Sequence, residues 1–375
     1  MTQALFKNAL PGVLALQAYT PGMPIEELQR KLGVADAVKL SSNENPLGMS
    51  PKAREALSAA VGGTDLARYP DGSGFRLKKA IAAMHNIAPE RITLGNGSND
   101  IIELLGRVYL GPGRKAMFSA HAFAVYAIVA QAQDAEAVVV PARPADAAMP
   151  LGHDLDAFAA QLTPDVSLIF IANPNNPTGT WLMPDEIEAF LQKVPAQVIV
   201  ALDEAYYEYM DPVLRGDARA LLERYPNLIV FRTFSKAYGL AGLRVGYALS
   251  SPEMADLLNR VRQPFNNNSL ALLAAEVAIE DQAHVAGSVA LNRRELERLS
   301  SALTAMGLTV LPSQANFLAI GFGRDAKAIH QGLLERGVIV RPIASYEMPQ
   351  FLRVSIGTAR ENDRFLDALK DVLKA

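Results

Sequence analysis

Residues 227–250 read NLIVFRTFSKAYGLAGLRVGYALS. An apolar run, Leu228–Phe231, leads to a serine and a lysine, Ser235 and Lys236. A segment of small residues follows, and then a second apolar run, VGYALS. Lysine ammonium groups normally sit in water, so a lysine in such tight surroundings asks for a chemical reason. Short apolar runs that end in glycine or polar residues recur upstream: RITLGNG (91–97), KAMFSA (115–120), AVVVP (137–141), VSLIFIANP (166–174) and QVIVALDE (197–204). Between them lie longer stretches with helical spacing. In SNDIIELLGRVYL (98–110), Ile101, Ile102, Leu104, Leu105 and Val108 fall on one helical face. Strands apolar on both faces that alternate with helices make a mostly parallel sheet covered on both sides, an α/β architecture.

The tail reads differently. From about residue 255 come helical stretches, EMADLLNRVRQ and LALLAAEVAIEDQAHVAGSVALNRRELERLSSALTAM. Short strand candidates follow in LTVLPS, NFLAI, GVIVRP and FLRVSIG. We therefore expect a large domain over 46–255 and a smaller α+β domain made of 1–45 and 256–375. A chain of 375 residues exceeds what one compact core usually serves. Residues 141–154, PARPADAAMPLGHD, read as a surface connection.

Composition narrows the function. Half the residues are hydrophobic and a fifth charged, the balance of a globular protein, and the net charge of −3 offers no pull toward nucleic acid or anionic membrane. Without cysteine there are no disulfides, no thiolate catalysis and no cysteine-ligated metal. His85, His121, His153, His284 and His330 lack metal-ligand spacing, so no metal site is expected. The N-terminal stretch MTQALFKNALPGVLALQAYTPG is broken by proline and glycine and is not read as a signal peptide. No run approaches the roughly 18 apolar residues needed to cross a bilayer. A cytoplasmic protein is the expectation.

In open α/β sheets ligands bind beyond the carboxyl ends of the strands. The residues that follow the apolar runs are NPNNPTG (173–179), DEAYYEY (203–209), SKAYG (235–239) and NGSND (96–100). Each alone is ordinary: a solvated lysine, a loop, a helix cap. Together they place an amide, a carboxylate with a tyrosine, a lysine and a helix-opening Gly-Ser turn on one rim. Pyridoxal phosphate needs that set. Its aldehyde takes an imine-forming amine that is available near neutral pH, which burial and nearby cations provide. Its ring nitrogen wants an aspartate, and its phosphate a helix N-terminus, hydroxyls and an arginine such as Arg244. The small residues are expected to let the backbone approach the planar cofactor.

The motifs SSNENPLG, RYPDGSGFRLKKAIA, LGNGSNDIIELL, ANPNNPTGT, LDEAYYEY, FSKAYGLAGLRVGYA, VRQPFNNNSLA and FLRVSIGT resemble those of fold-type I pyridoxal-phosphate aminotransferases, in their histidinol-phosphate branch. The resemblance implies an aspartate-aminotransferase-like fold, with Lys236 as the Schiff-base lysine and Asp203 at the ring nitrogen. It puts Asn176 and Tyr206 at the phenolic oxygen, and Ser98, Asn99, Thr233, Ser235 and Arg244 around the phosphate. Phe123 would stack on the ring. Tyr69 would reach the phosphate of a neighbouring subunit in a homodimer. Arg353, Arg341, Tyr19 and Asn45 would face the substrate, an amino donor or a 2-oxo acid acceptor. Two rivals share the scaffold: an aromatic amino-acid aminotransferase and a threonine-phosphate decarboxylase-like lyase. A cofactor-binding sensor would need a nucleic-acid-binding extension, and NGSND lacks the third glycine of a dinucleotide fingerprint. The sequence departs from the branch at His121–Ala122. There a hydroxyl is missing and the imidazole is expected to be packed or exposed rather than a substrate ligand.

Overall fold

A computed structural model describes residues 6–19, 21–34, 36–63 and 66–374. The first short strand is β1 (Val38–Lys39). Seven strands then build the main sheet: β2 (Ile92–Gly95), β3 (Lys115–Ser119), β4 (Glu136–Val140), β5 (Val166–Ala172), β6 (Ile199–Asp203), β7 (Leu228–Thr233) and β8 (Gly246–Leu249). Each expected apolar run from 91 to 250 supplies one of the seven. Their order across the sheet is β2-β8-β7-β6-β5-β3-β4. Neighbours run parallel from β7 through β4, whereas β8 is antiparallel to both β7 and β2.

Alternate residues feed opposite cores. Ile169, Ile171, Val200, Leu202, Leu228 and Val230 join one apolar cluster. Leu168, Phe170, Ile199, Ala201, Ile229 and Phe231 join the other. The helix α1 (Ser98–Tyr109) buries Ile101, Ile102, Leu104 and Leu105 in that second cluster, beside α2 (Val125–Ala132). Each fully buried aliphatic or aromatic side chain contributes roughly 1.5–3 kcal/mol, so both faces are held by many such contributions. Burial on both faces fails only at β4, where the edge position leaves Val139 exposed.

The remaining strands are β9 (Thr309–Val310), β10 (Phe317–Gly321), β11 (Val338–Ile339), β12 (Arg341–Pro342) and β13 (Phe351–Ser355). Four of them form a second sheet in the order β12-β13-β10-β9. The stretch GVIVRP, expected as one strand, is two. β11 pairs with β1 while β12 pairs with β13, so Val340 is where the chain passes from one sheet to the other. The long helical stretch 270–306 is likewise two helices, Ser269–Glu280 and α3 (Gln282–Ala305), separated at Asp281. Among the described residues no helix is long and apolar enough to cross a membrane.

Candidate active site

A cavity of about 520 Å³ opens at the carboxyl ends of β5, β6 and β7. Ala172, Pro174 and Asn176 line it after β5, Asp203, Ala205 and Tyr206 after β6, and Thr233, Ser235 and Lys236 after β7. The turn after β2 adds Asn96, Ser98 and Asn99. Tyr19, Ser41 to Glu44, Phe123, Arg244, Arg341 and Arg353 complete the wall. All the expected site residues meet here except Tyr69 and Asn45. Tyr69 is 82% exposed, and its ring stacks on Phe265 at 4.6 Å. Asn45 turns away from the cavity; its Nδ2 donates to Ala237 O and Ser288 Oγ, both at 2.9 Å. The expectation that Asn45 faces the substrate is thus corrected. It ties the lysine loop to α3.

Two glycines near Lys236 are required by the packing of the chain against itself. A Cβ on Gly239, at φ +70°, would stand 2.1 Å from Gly48 O, and one on Gly246 would stand 2.6 Å from Ser98 N. Their smallness lets backbone approach backbone. At Gly97, φ is +83° and a Cβ would meet Arg244 Nη2 at 2.3 Å. That contact sets the guanidinium beside the N-terminus of α1. Arg244 also reaches Ser235 Oγ at 3.4 Å, and Thr233 Oγ1 accepts from Ser235 N at 3.1 Å. Backbone N–H groups, hydroxyls and a cation converge as a phosphate dianion requires.

Burial sets the electrostatics. The Lys236 amine, whose Nζ donates to Ser42 O at 3.1 Å, is pulled down to about 8. Loss of water is the first cause; the Arg353 and Arg244 charges act the same way, while Glu44 and Asp203 oppose them. Burial lifts the Asp203 carboxyl to about 6, against a 2.7 Å bond from Tyr126 Oη and a 3.1 Å bond from Ala205 N. Burial also lifts the Tyr206 phenol to about 12, although Arg353 and the 2.9 Å bond from Asn43 Nδ2 work the other way. The Arg353 guanidinium donates through Nη2 to Ser41 O at 2.7 Å and through Nη1 to Asn176 Oδ1. Its buried Nε has no protein partner among the described residues. Arg341 lies 5.5 Å from the ring centroid of Tyr19.

Two residues in this machinery escaped the sequence reading. Tyr126 stacks on Phe170 at 4.5 Å and 1°, and meets Phe123 edge-on. Its signal was the FAVY spacing, which sets Tyr126 three residues beyond Phe123 and so beside it on a helical turn. Asn43 sits in the quoted SSNENPLG, but its φ of +55° turns it toward Tyr206 and sends Asn45 elsewhere. His121 is not in the wall; its Nδ1 lies 2.7 Å from Tyr346 O.

Residues 35–369 match the family Aminotransferase class I and II. The chain belongs to the class I and II aminotransferases. This aminotransferase is 54% identical over 367 residues to histidinol-phosphate aminotransferase 2 of Pseudomonas aeruginosa, covering 97% of each chain. It is 50% identical over 372 residues to histidinol-phosphate aminotransferase 1 of Dechloromonas aromatica, covering 99% of this chain and 100% of that one. Among solved structures it resembles histidinol-phosphate aminotransferase from Sinorhizobium meliloti in complex with pyridoxal-5'-phosphate. The TM-score is 0.90 at 29% identity, with 98% of each chain covered. Its fold is also that of a Thermus thermophilus aspartate aminotransferase double mutant, with TM-score 0.84 at 22% identity over 98% of this chain and 100% of that one. The aminotransferase is therefore of the aspartate-aminotransferase-like fold type I.

Proposed function

We propose that this aminotransferase transfers the amino group of histidinol phosphate to 2-oxoglutarate, with pyridoxal phosphate as cofactor, in histidine biosynthesis. The carrying observation is one cavity that holds a buried amine with a depressed pKa, a buried carboxyl and two arginines, Arg353 and Arg341. The names of the relatives support the substrate. The donors present fit the cofactor: at Gly97, where a Cβ would strike Arg244 Nη2 at 2.3 Å, the arginine lies against the N-terminus of α1, and Asp203 is a buried carboxyl that lines the same cavity.

Bound there, pyridoxal phosphate supplies an aldehyde carbon and an electron-accepting ring. Ser98, Asn99, Thr233, Ser235 and Arg244 hold the phosphate, and Phe123 covers the ring face. Asp203, oriented by Tyr126, keeps the ring nitrogen protonated; Asn176 and Tyr206 donate to the ring oxygen. Lys236 Nζ would hold the cofactor at its aldehyde carbon and, as a free amine, would move the proton of the substrate carbon that bears the amino group. An amine with a pKa near 8 does this at neutral pH far better than an ordinary lysine. Arg353 and Arg341 bind the anionic ends of both substrates, because the planar guanidinium fork suits phosphate and carboxylate alike. Tyr19 packs against Arg341. Asn45 acts through the lysine loop.

The large unit of 46–255 carries the main sheet, and the smaller one of 1–45 with 256–375 carries Tyr19, Arg341 and Arg353. The working form is a cytoplasmic homodimer in which Tyr69 enters the neighbouring cavity. The test is turnover of histidinol phosphate, phenylalanine and threonine phosphate with 2-oxoglutarate as acceptor. The proposal expects the highest kcat/KM with histidinol phosphate. A higher value for phenylalanine, or release of carbon dioxide from threonine phosphate without consumption of 2-oxoglutarate, overturns it.

A further inference from the structure

The stretch VRQPFNNNSLA (261–271) supplies nothing to the cavity wall, yet its three consecutive asparagines all bond to backbone elsewhere. Asn266 Nδ2 donates to Leu94 O at 3.1 Å and to the Asp100 carboxylate at 2.8 Å. Asn267, buried, donates from Nδ2 to Gly95 O at 2.8 Å. Asn268 Nδ2 reaches Leu243 O at 3.1 Å, and its Oδ1 caps the helix that begins at Ser269. The first two thus hold the end of β2, where the cradle begins.

β2 is an edge strand, so among the described residues no further strand lies beyond it to meet backbone groups on its outer side. The turn that follows is soft, with a glycine at each end and Gly97 at φ +83°. Its own N–H groups at Asn96 and Gly97 are spent on the Asp100 carboxylate and on Gly95 O, so the shape of the turn, and with it the aim of the N-terminus of α1, depends on how those two acceptors are held from outside. Gly95 O accepts from Gly97 N and from Asn267, both at 2.8 Å. The oxygen of Asp100 that accepts from Asn266 also accepts from Asn96 N at 2.9 Å. Arg262 in turn fixes Asn266, its Nη1 donating to Oδ1 at 2.6 Å. None of these bonds touches Lys236, Asp203, Tyr206 or Phe123, the groups that would meet the cofactor's ring and aldehyde.

We propose that Asn266 and Asn267 are positioning residues that aim the Gly95–Ser98 turn at a phosphate monoester, and so set the preference for a phosphorylated over an unphosphorylated cofactor. This rests on the pyridoxal-phosphate reading of the cavity.

The test measures binding of pyridoxal phosphate and of pyridoxal to the apoprotein by titration, for the wild type, Asn267→Ala and Asn266→Ser, with thermal unfolding in parallel. In Asn267→Ala, pyridoxal phosphate binding weakens about tenfold while pyridoxal binding changes by less than about twofold. Asn266→Ser, in which the half-buried amide becomes a hydroxyl, shows the same bias more weakly and reports on it if Asn267→Ala does not fold. Affinities that fall together, or a lowered unfolding temperature with an unchanged ratio, overturn the inference. A wild type with no preference for the phosphorylated form contradicts the reading of the cavity itself and removes this inference with it.

Discussion

Lys236 is the residue at which burial and chemistry meet. Its amine is pulled from 10.5 to about 8 by loss of water and by Arg353. In the apoprotein its reaction with an amine-directed reagent should therefore rise with a midpoint near pH 8 instead of above 10. The sign for stability follows: between about 8 and 10.5 the unfolded chain holds a proton that the folded chain has released, so unfolding free energy climbs with pH across that window. Lys236→Arg, which keeps the charge but cannot lose its proton, should lower turnover by about a thousandfold or more without unfolding the protein. Asp203 has the opposite sense. Tyr126→Phe removes the 2.7 Å bond that holds its carboxyl down, so its titration midpoint should move above the present value of about 6. The infrared carboxyl band of the apoprotein followed against pH reads this directly. Lys236 and Asp203 were legible because charged residues stand out where apolar runs end, whereas Arg353 came only from the resemblance of its motif FLRVSIGT. Tyr126 was not, because an aromatic at helical spacing reads as core.

At the scale of elements, the ends of β6 and β7 are joined beneath the cavity by a buried ion pair, Glu204 with Arg232 at 2.8 Å. The Arg232 guanidinium also lies 3.4 Å from the Tyr207 ring centroid. The pair stands next to Asp203 and Thr233 in sequence, so it fixes the rim on which both are mounted. Glu204→Gln leaves a buried guanidinium without its counter-charge and should cost about 3 kcal/mol, read from urea unfolding. Loss of less than about 1 kcal/mol would show the pair to be dispensable. The strands themselves were plain in the sequence, since an apolar run bounded by turn residues has few alternatives. The ion pair was not: Glu204 reads as one more acid in DEAYYEY, and its partner lies 28 residues away. The reversed direction of β8 was equally hidden, because burial on both faces looks the same for either direction. So was the split of GVIVRP, where Val38 and Lys39 take two residues that local pattern assigns to one strand.

The whole molecule leaves Tyr69 on its surface, outside the cavity whose phosphate end it is expected to complete in a second copy. If sites are shared between subunits, Lys236→Ala and Tyr69→Ala chains, each weak alone, should regain activity when unfolded together and refolded as a mixture. Hybrids then carry one intact site. A mixture no more active than the sum of its parts would show that each chain serves its own site. Such an arrangement is beyond what patterns of burial record, since Tyr69 and Phe265 look like any exposed aromatic pair until a second chain is supplied. The central claim remains that the cavity is built around one amine. Borohydride reduction of the protein loaded with pyridoxal phosphate, followed by mass analysis of its peptides, tests it most directly. The expected result is a single labelled peptide carrying the cofactor on Lys236. Label on another lysine, or an active protein with none, would contradict it.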